Sequence, residues 1–266
     1  MPRTSDHDPV VWITGASSGI GAALAEAFAG RGARLVLSAR RQNCLETVRA
    51  RCSHPERHRV VPLDLADAAA IPVAAGRVLE DCGRVDVLVN NGGLTQRSLV
   101  KDTRLEVDRR LMEVNFFGAV SLTKGVLPSM LARRRGDIVV VSSLVGHFST
   151  PLRSGYAASK HALHGFFDAL RAEVDADGVH VLMVCPGFIR TDISLHALTA
   201  DGSPQGTMDA GQAAGMPPGQ CAARIVAALD RRKEEVVIGG RETWYLLLHR
   251  FFPGLFRRAV RRARAT

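Results

Sequence analysis

VVWITGASSGIG, residues 10–21, decides how this chain folds. Val10 to Thr14 are all β-branched or aromatic, the composition of a buried strand. Gly15, Gly19 and Gly21 follow in GxxxGxG spacing and lead into a helical pattern. Glycine lacks the Cβ that would keep the backbone away from a pyrophosphate, and a helix start offers unpaired N–H groups and the positive end of the dipole. A turn that merely packs a helix closely on a strand would carry the same glycines, so the strand–turn–helix context gives the spacing its weight. The segment reads as a dinucleotide-phosphate turn made by Gly15, Ser17, Ser18, Gly19, Ile20 and Gly21.

Outward from this turn, short apolar runs alternate with longer stretches of helical periodicity. That is the pattern of repeated βαβ units in a parallel sheet covered on both faces. Seven strands are predicted, near residues 10–14, 35–39, 60–63, 85–90, 138–142, 179–185 and 236–238. Helices are predicted over 19–30, 42–52, 68–82, 106–133, 156–175 and 219–230. The expected fold class is α/β, a doubly wound Rossmann-type sandwich with a seven-stranded parallel sheet. Residues 194–218 are rich in Gly, Pro, Ser, Thr and Ala and read as a long loop, a lid or an insertion, beyond the sixth strand where such sheets bind ligands. Residues 1–240 are expected to form one nucleotide-binding domain that includes this lid, and residues 241–266 an apolar and basic tail.

At 266 residues, 46% hydrophobic and 23% charged, the chain is long enough for one large core and far from the composition of disordered chains. The formal charge of +9 suggests a nucleic-acid footprint at first sight. From residue 241 on, however, seven arginines face one glutamate, so only three of the nine charges belong to the first 240 residues. The arginine cluster, residues 257–264, has no stacking aromatics interleaved with it, which argues against nucleic acid. Five scattered cysteines without a CxxC pair suggest neither a disulfide framework nor a zinc site. MPRTSDHDPVVWITG runs from a polar stub into a strand without a secretion signal, and no apolar run is long enough to span a bilayer. A cytoplasmic setting is expected, peripheral at a membrane surface if the tail binds there.

The second strand ends in RLVLSARR, residues 34–41. An NAD site commonly places an acidic residue here against the ribose 2′-hydroxyl. Ala39 stands in that position and Arg40 and Arg41 follow, so a 2′-phosphate would meet positive charge. The reading is NADP(H), although paired arginines at a helix start also occur as plain solvated charge.

Tyr156 and Lys160, in YAASK, are spaced i, i+4 and share one helix face. An ammonium beside a phenol favours the phenolate and brings the group closer to the range for proton exchange with a carbonyl or carbinol oxygen. YxxxK alone is common by chance. Ser143 closes the predicted strand IVVVSS thirteen positions earlier and could hydrogen-bond the same oxygen. Asn115 is a poor helix former within LMEVNFFG, either a satisfied buried amide or part of a proton path.

Together these residues resemble the short-chain dehydrogenase/reductase family from Val10 to about Gly240. TGASSGIG resembles the family's cofactor turn, Asp64 in LDL its adenine contact, and Asn90 to Gly93 its NNAG segment. In the last, Asn91 and Gly93 would border the cofactor, with Gly93 replacing the usual alanine. Asn115, Ser143, Tyr156 and Lys160 match the catalytic tetrad. PGFIRT, with Pro186, Gly187, Ile189 and Thr191, resembles the nicotinamide-side segment. The resemblance implies hydride transfer to or from a carbonyl or alcohol carbon, with Tyr156 as general acid or base. It also implies that Ser143 orients the substrate oxygen, Lys160 holds the nicotinamide ribose, Asn115 supports a water chain, and the chain forms a homodimer or homotetramer.

Within the family, RSGYAASKHALHGFFDALRAE, LTADGSPQGTMD and FFPGLF resemble acyl- or alkyl-dihydroxyacetone-phosphate reductases and their lipid-associated relatives. Arg97 and Arg153 could then meet a substrate phosphate, or serve as surface charges or an internal ion pair. The enzymatic alternative is a steroid- or retinoid-type alcohol dehydrogenase; the alternative outside enzymes is a non-catalytic NADP-binding regulator. His147, His161 and His164 form no HExxH-type motif and are expected at the surface or along a pocket, with no metal. Met208 and Met216 either contact an apolar substrate or fill a loop. The tail, WYLLLHRFFPGLFRRAVRRARAT, either lies at a membrane interface or packs on the body or a second subunit.

Overall fold

The computed structural model of the protein describes residues 8–262, Arg262 by its backbone alone. The polar start, residues 1–7, and the end of the arginine-rich tail, residues 263–266, lie outside the described residues. Seven strands form one parallel sheet: β1 Val10–Thr14, β2 Arg34–Ser38, β3 Arg59–Val60, β4 Val87–Asn90, β5 Gly136–Val141, β6 Val179–Pro186 and β7 Glu235–Ile238. Their spatial order is β3-β2-β1-β4-β5-β6-β7, so the chain reverses its winding between β1 and β4. Crevices at such a reversal, beyond the carboxyl ends of the strands, are where open α/β sheets bind ligands.

Strand periodicity explains the two layers of helices. Val11 and Ile13 of β1 face one core, shared with α1 (Gly19–Ala29), α2 (Gln42–Arg51) and α8 (Pro218–Asp230). Val10 and Trp12 face the other, shared with α3 (Ala70–Cys82), α5 (Gly118–Ala132) and α6 (Ser154–Val174). Trp12 is fully buried on that second face, and its indole N–H donates to Ser38 Oγ at 2.9 Å, so its one polar atom is satisfied.

One helix departs from the sequence expectation, and two further segments gain detail. The single helix expected over 106–133 is α4 (Leu105–Met112), a π-helical turn (Glu113–Phe117) and α5, and Asn115 sits in the π turn. Such turns occur disproportionately at functional sites because they re-aim one side chain without ending the helix. The segment 194–218 is mostly irregular and packed against the body: it holds only the short helix α7 (Ala210–Ala213), and Ser194, Ala197, Asp209 and Gln212 are buried. Its residue Leu198 bridges to Gln96 in the loop after β4. The tail forms two helices, α9 (Trp244–Phe251) and α10 (Pro253–Arg262), which fold back on the body. Among the described residues no helix is long and apolar enough to cross a membrane.

Candidate active site

Two adjoining cavities open at the carboxyl ends of β1, β4, β5 and β6. The first, about 420 Å³, is floored by the glycine turn, with Gly15, Ser17, Ser18, Gly19 and Ile20 in its wall. Gly15 has φ +63°, and a Cβ there would lie 2.8 Å from both Asn91 Nδ2 and Gly92 Cα. Gly21 does not line the cavity: a Cβ on it would strike the Gly15 carbonyl oxygen at 2.3 Å, so this glycine lets α1 close onto the turn. Ser18 occupies the N-cap of α1 without using its side chain as a cap, which leaves first-turn amides open to an anion.

Asn91 Nδ2 donates to the Thr14 carbonyl at 2.9 Å, while the Thr14 hydroxyl accepts from the Asn91 and Gly92 amides at 3.0 Å each. The turn is thereby fastened to β4. Arg40 and Arg41 stand exposed at the cavity's far end beside Ser38 and Ala39. Asp64 borders it too; burial works against its charge, but the Ala66 amide and the Arg110 and Arg40 guanidiniums hold its carboxyl below the usual range. A cradle open to backbone approach at Gly15, with free helix amides and cations but no acidic side chain closing β2, fits a dinucleotide.

The second cavity, about 360 Å³, shares Asn91, Gly93 and Thr191 with the first, so the two are continuous. Ser143, Tyr156, Lys160, Pro186, Gly187 and Ile189 line it. Lys160 Nζ lies 5.8 Å from the centre of the Tyr156 ring and donates to the Val141 carbonyl at 2.9 Å. Burial raises the Tyr156 phenol above its ordinary value, opposed by the Ser143 hydroxyl that hydrogen-bonds it and by the Arg153 and Arg97 charges. Burial also pushes the Lys160 ammonium down to about 8. Asn115 does not line the cavity. Its Oδ1 accepts from the Leu94 amide at 2.7 Å, and its Nδ2 donates to the Leu94 carbonyl and to Ser159 Oγ at 2.9 Å each. It is therefore a satisfied buried amide, one step behind Gly93 and Lys160.

Arg97 and Arg153 both reach the second cavity, and Asp209 lies between them. Arg97 Nε donates to Asp209 Oδ2 at 2.9 Å, which makes it the internal ion pair; Arg153 Nη2 stands 3.5 Å from the same oxygen. Arg153 Nε is buried without a hydrogen-bond partner among the described residues. Two cations meet one carboxylate there, leaving a surplus positive charge in the wall. Met208 and Met216 line neither cavity; Met208 sulfur accepts from the Ser194 hydroxyl at 3.1 Å and Met216 packs against the core.

Several participants were not singled out as site residues from the sequence. Gln96 is fully buried, and its Oε1 accepts from the Gly155 and Tyr156 amides at 2.8 and 3.3 Å, capping the first turn of the helix that carries Tyr156. Its amide nitrogen is fixed by Ser98 and Thr103 at 3.1 Å each. Gln96→Leu leaves those two helix amides without an acceptor, which is expected to cost about 1–3 kcal/mol of stability and to lower kcat by loosening the turn that carries Tyr156. Steady-state kinetics at saturating cofactor would check it, and unchanged kcat would dismiss the positioning role. Glu242 accepts from the Phe188 amide at 3.0 Å and fastens the tail to the Pro186–Gly187 segment. Phe256 of α10, 4% exposed, packs with Leu144, Val145, Phe148 and Tyr156, and Tyr245 and Val260 complete that wall.

The fold also gathers side chains that are scattered in sequence. His147, His164, Cys185 and Glu235 place one donor atom each within 4.8 Å of the others. His161 stands apart, exposed, with Nδ1 against the Ala157 carbonyl at 2.8 Å.

A parallel doubly wound sheet with a glycine turn at its reversal, and a Ser, Tyr and Lys set in the adjoining cavity, defines a nucleotide-dependent oxidoreductase. The sequence matches the short chain dehydrogenase family over residues 9–200, and the chain belongs to that family. It is 46% identical to the Bos taurus protein dehydrogenase/reductase SDR family member 7B, over 97% of this chain and 82% of that protein. A crystal structure of a short-chain dehydrogenase from Streptomyces avermitilis superposes with a TM-score of 0.84 at 34% identity, covering 98% of this chain and all of that one. An alcohol dehydrogenase from Thermococcus sibiricus, solved with 5-hydroxy-NADP, gives 0.76 at 27% identity, over 88% of this chain and 97% of that one.

Proposed function

We propose that the protein is an NADP(H)-dependent reductase or dehydrogenase that acts on the carbonyl or alcohol group of a lipid-like molecule. The observation that carries this reading is the convergence of Ser143, Tyr156 and Lys160 on an otherwise largely apolar cavity that opens directly onto the glycine-turn cavity. When bound, the nicotinamide cofactor supplies or accepts the hydride. Tyr156 exchanges a proton with the substrate oxygen, and the Ser143 hydroxyl holds that oxygen in place. Lys160 keeps a positive charge beside the phenol and holds the nicotinamide ribose. Asn115, clamped in the π turn, keeps Lys160 in reach of a water path to solvent.

Gly15, Ser17, Ser18, Gly19 and Ile20 take the cofactor's phosphates, with Gly21 closing the helix onto them. Asp64, Asn91 and Gly93 border its adenosine and central portions, and Pro186, Gly187, Ile189 and Thr191 its nicotinamide end. Arg40 and Arg41 meet the 2′-phosphate, the basis for preferring NADP(H). Replacing both arginines with alanine is expected to lower kcat/KM for NADPH about ten- to a hundredfold, the scale of a charge-assisted hydrogen bond or two, with little change for NADH. A wild-type enzyme that prefers NADH would remove the assignment.

The substrate class follows from the second cavity. Phe148, Tyr245, Phe256 and Val260 suit an apolar chain, while Arg153 and the Arg97–Asp209 pair leave a surplus positive charge for an anionic group. A phosphorylated long-chain ketone of the acyl- or alkyl-dihydroxyacetone-phosphate kind meets both requirements. A steroid- or retinoid-type alcohol would use the apolar wall alone. On the outer side of the tail, Trp244, Leu247, Phe251, Phe252 and Leu255 are exposed beside arginines, which suits peripheral contact with an anionic membrane. The family resemblance adds a homodimer or homotetramer. NADPH consumption against long- and short-chain ketones, with and without phosphate, tests the reading. Turnover confined to unphosphorylated steroids would select the alternative, and no turnover with any carbonyl would leave a non-catalytic NADP-binding regulator.

A further inference from the structure

We propose that His147, His164, Cys185 and Glu235 form a binding site for one zinc-class divalent ion. The four residues come from four segments: the turn after β5, the middle of α6, the end of β6 and the start of β7. His147 Nε2 lies 3.4 Å from Cys185 Sγ and 3.5 Å from Glu235 Oε1, and His164 Nε2 lies 3.8 Å from the same sulfur. A tetrahedral ion with metal–nitrogen bonds of about 2.0 Å and metal–sulfur bonds of about 2.3 Å sets its ligand atoms about 3.3–3.7 Å apart. Three of the six donor–donor distances already match the edges of such a tetrahedron, and all four donor atoms lie within 4.8 Å of one another.

The donor chemistry selects the ion. One thiolate, two imidazoles and a single carboxylate form a borderline-soft set suited to zinc or cobalt, whereas magnesium and calcium take oxygen ligands. Charge balances: the thiolate and the carboxylate neutralise the 2+ ion, the imidazoles bind uncharged, and the Cys185 thiol proton leaves for solvent as the metal–sulfur bond forms. Cys185 is buried, but the His147 and Glu235 side chains are 27% and 43% exposed, so an ion can enter from the surface.

The position of the cluster gives the ion a structural role. His164 lies one helical turn beyond Lys160, Cys185 immediately precedes Pro186, and His147 follows Ser143 by four residues. A bound ion would cross-link the three segments that carry Ser143, Tyr156 with Lys160, and the Pro186–Gly187 turn, from behind the second cavity. Without an ion the same side chains make a hydrogen-bonded cluster, with the two imidazoles edge to face at 4.4 Å.

Cobalt(II) titration of the chelator-treated full-length protein tests the site independently of any turnover. The expected result is a thiolate-to-cobalt charge-transfer band and intense visible bands of tetrahedral cobalt. Both should saturate at one ion per chain and disappear on adding zinc. His147→Asn, a partly exposed change, should weaken binding by more than about a hundredfold, beyond the loss expected for an outer-shell partner. Cys185→Ser should abolish the charge-transfer band, and His161→Asn should change nothing. Far-UV circular dichroism checks that each variant is folded. Failure of the wild-type chain to bind cobalt stoichiometrically overturns the proposal, as does a spectrum unchanged in both His147→Asn and Cys185→Ser; either leaves the hydrogen-bonded cluster alone.

Discussion

Tyr156→Phe is expected to lower kcat by about 10²–10⁴-fold, the range associated with a positioned proton donor, while NADPH still binds. The substitution removes one hydroxyl from a side chain that is otherwise packed against Leu144, Val145 and Phe256, so the wall of the cavity survives. Fluorescence titration with NADPH separates the lost step from lost binding. Near-normal turnover in the variant would dismiss Tyr156 as the proton-transferring group. The pH dependence carries the same assignment with a sign. Burial raises the phenol, so its protonated form prevails at neutral pH and favours donation, which is carbonyl reduction. Alcohol oxidation needs the phenolate and should climb with pH only as long as the Lys160 ammonium stays charged. Lys160, at about 8, must stay charged to assist either direction, so kcat/KM for reduction should fall as pH rises through that value. A profile flat to well above it would show that the ammonium form is not required.

Truncation after Gly240 is the second large effect. It removes α9 and α10, and with them the Tyr245, Phe256 and Val260 side of the second cavity and the Glu242 contact to Phe188. Fully burying one large apolar side chain is worth about 1.5–3 kcal/mol, so losing Phe256 alone should cost roughly ten- to a hundredfold in kcat/KM for a long-chain ketone. Short ketones that do not reach this wall should lose far less. Phe256→Ala in the full chain provides the same comparison without deleting two helices. The truncated form should also fail to float with anionic liposomes that carry the full-length protein, because the exposed aromatic residues and arginines of the tail are gone. Equal losses for short and long ketones would argue that the tail supports folding and does not shape the substrate site. Flotation of the truncated form would move the membrane contact elsewhere.

The fate of particular segments shows why some of this was legible in advance. Residues 10–21 carry strand, turn and helix start in one local pattern, and the structure has β1 at Val10–Thr14 and α1 at Gly19–Ala29 as expected. Strand ends slipped by one to three residues, most at β3, where edge pairing and not composition sets the limit. The break at Glu113–Phe117 was not legible, because a π turn adds one residue to a helical turn without changing residue type. Gln96 was equally silent: nothing in NNGGLTQR distinguishes a surface glutamine from one that caps a helix some sixty residues away. The tail's amphipathic character was visible, but its partner was not, since an apolar face specifies burial and leaves its counterpart open.

Periodicity, the glycine spacing and the order of Ser143, Tyr156 and Lys160 were set by the sequence alone, because each depends on residues close together or on a strand–helix rhythm. The seven-stranded parallel sheet and the oxidoreductase class followed from them. Tertiary structure alone decided the rest: that Asp209 divides its charge between Arg97 and Arg153, that Phe256 closes the cavity, and that His147, His164, Cys185 and Glu235 meet. These contacts join residues from about seventeen to more than a hundred positions apart, and only the packing of helices and strands against one another brings such side chains within bonding distance.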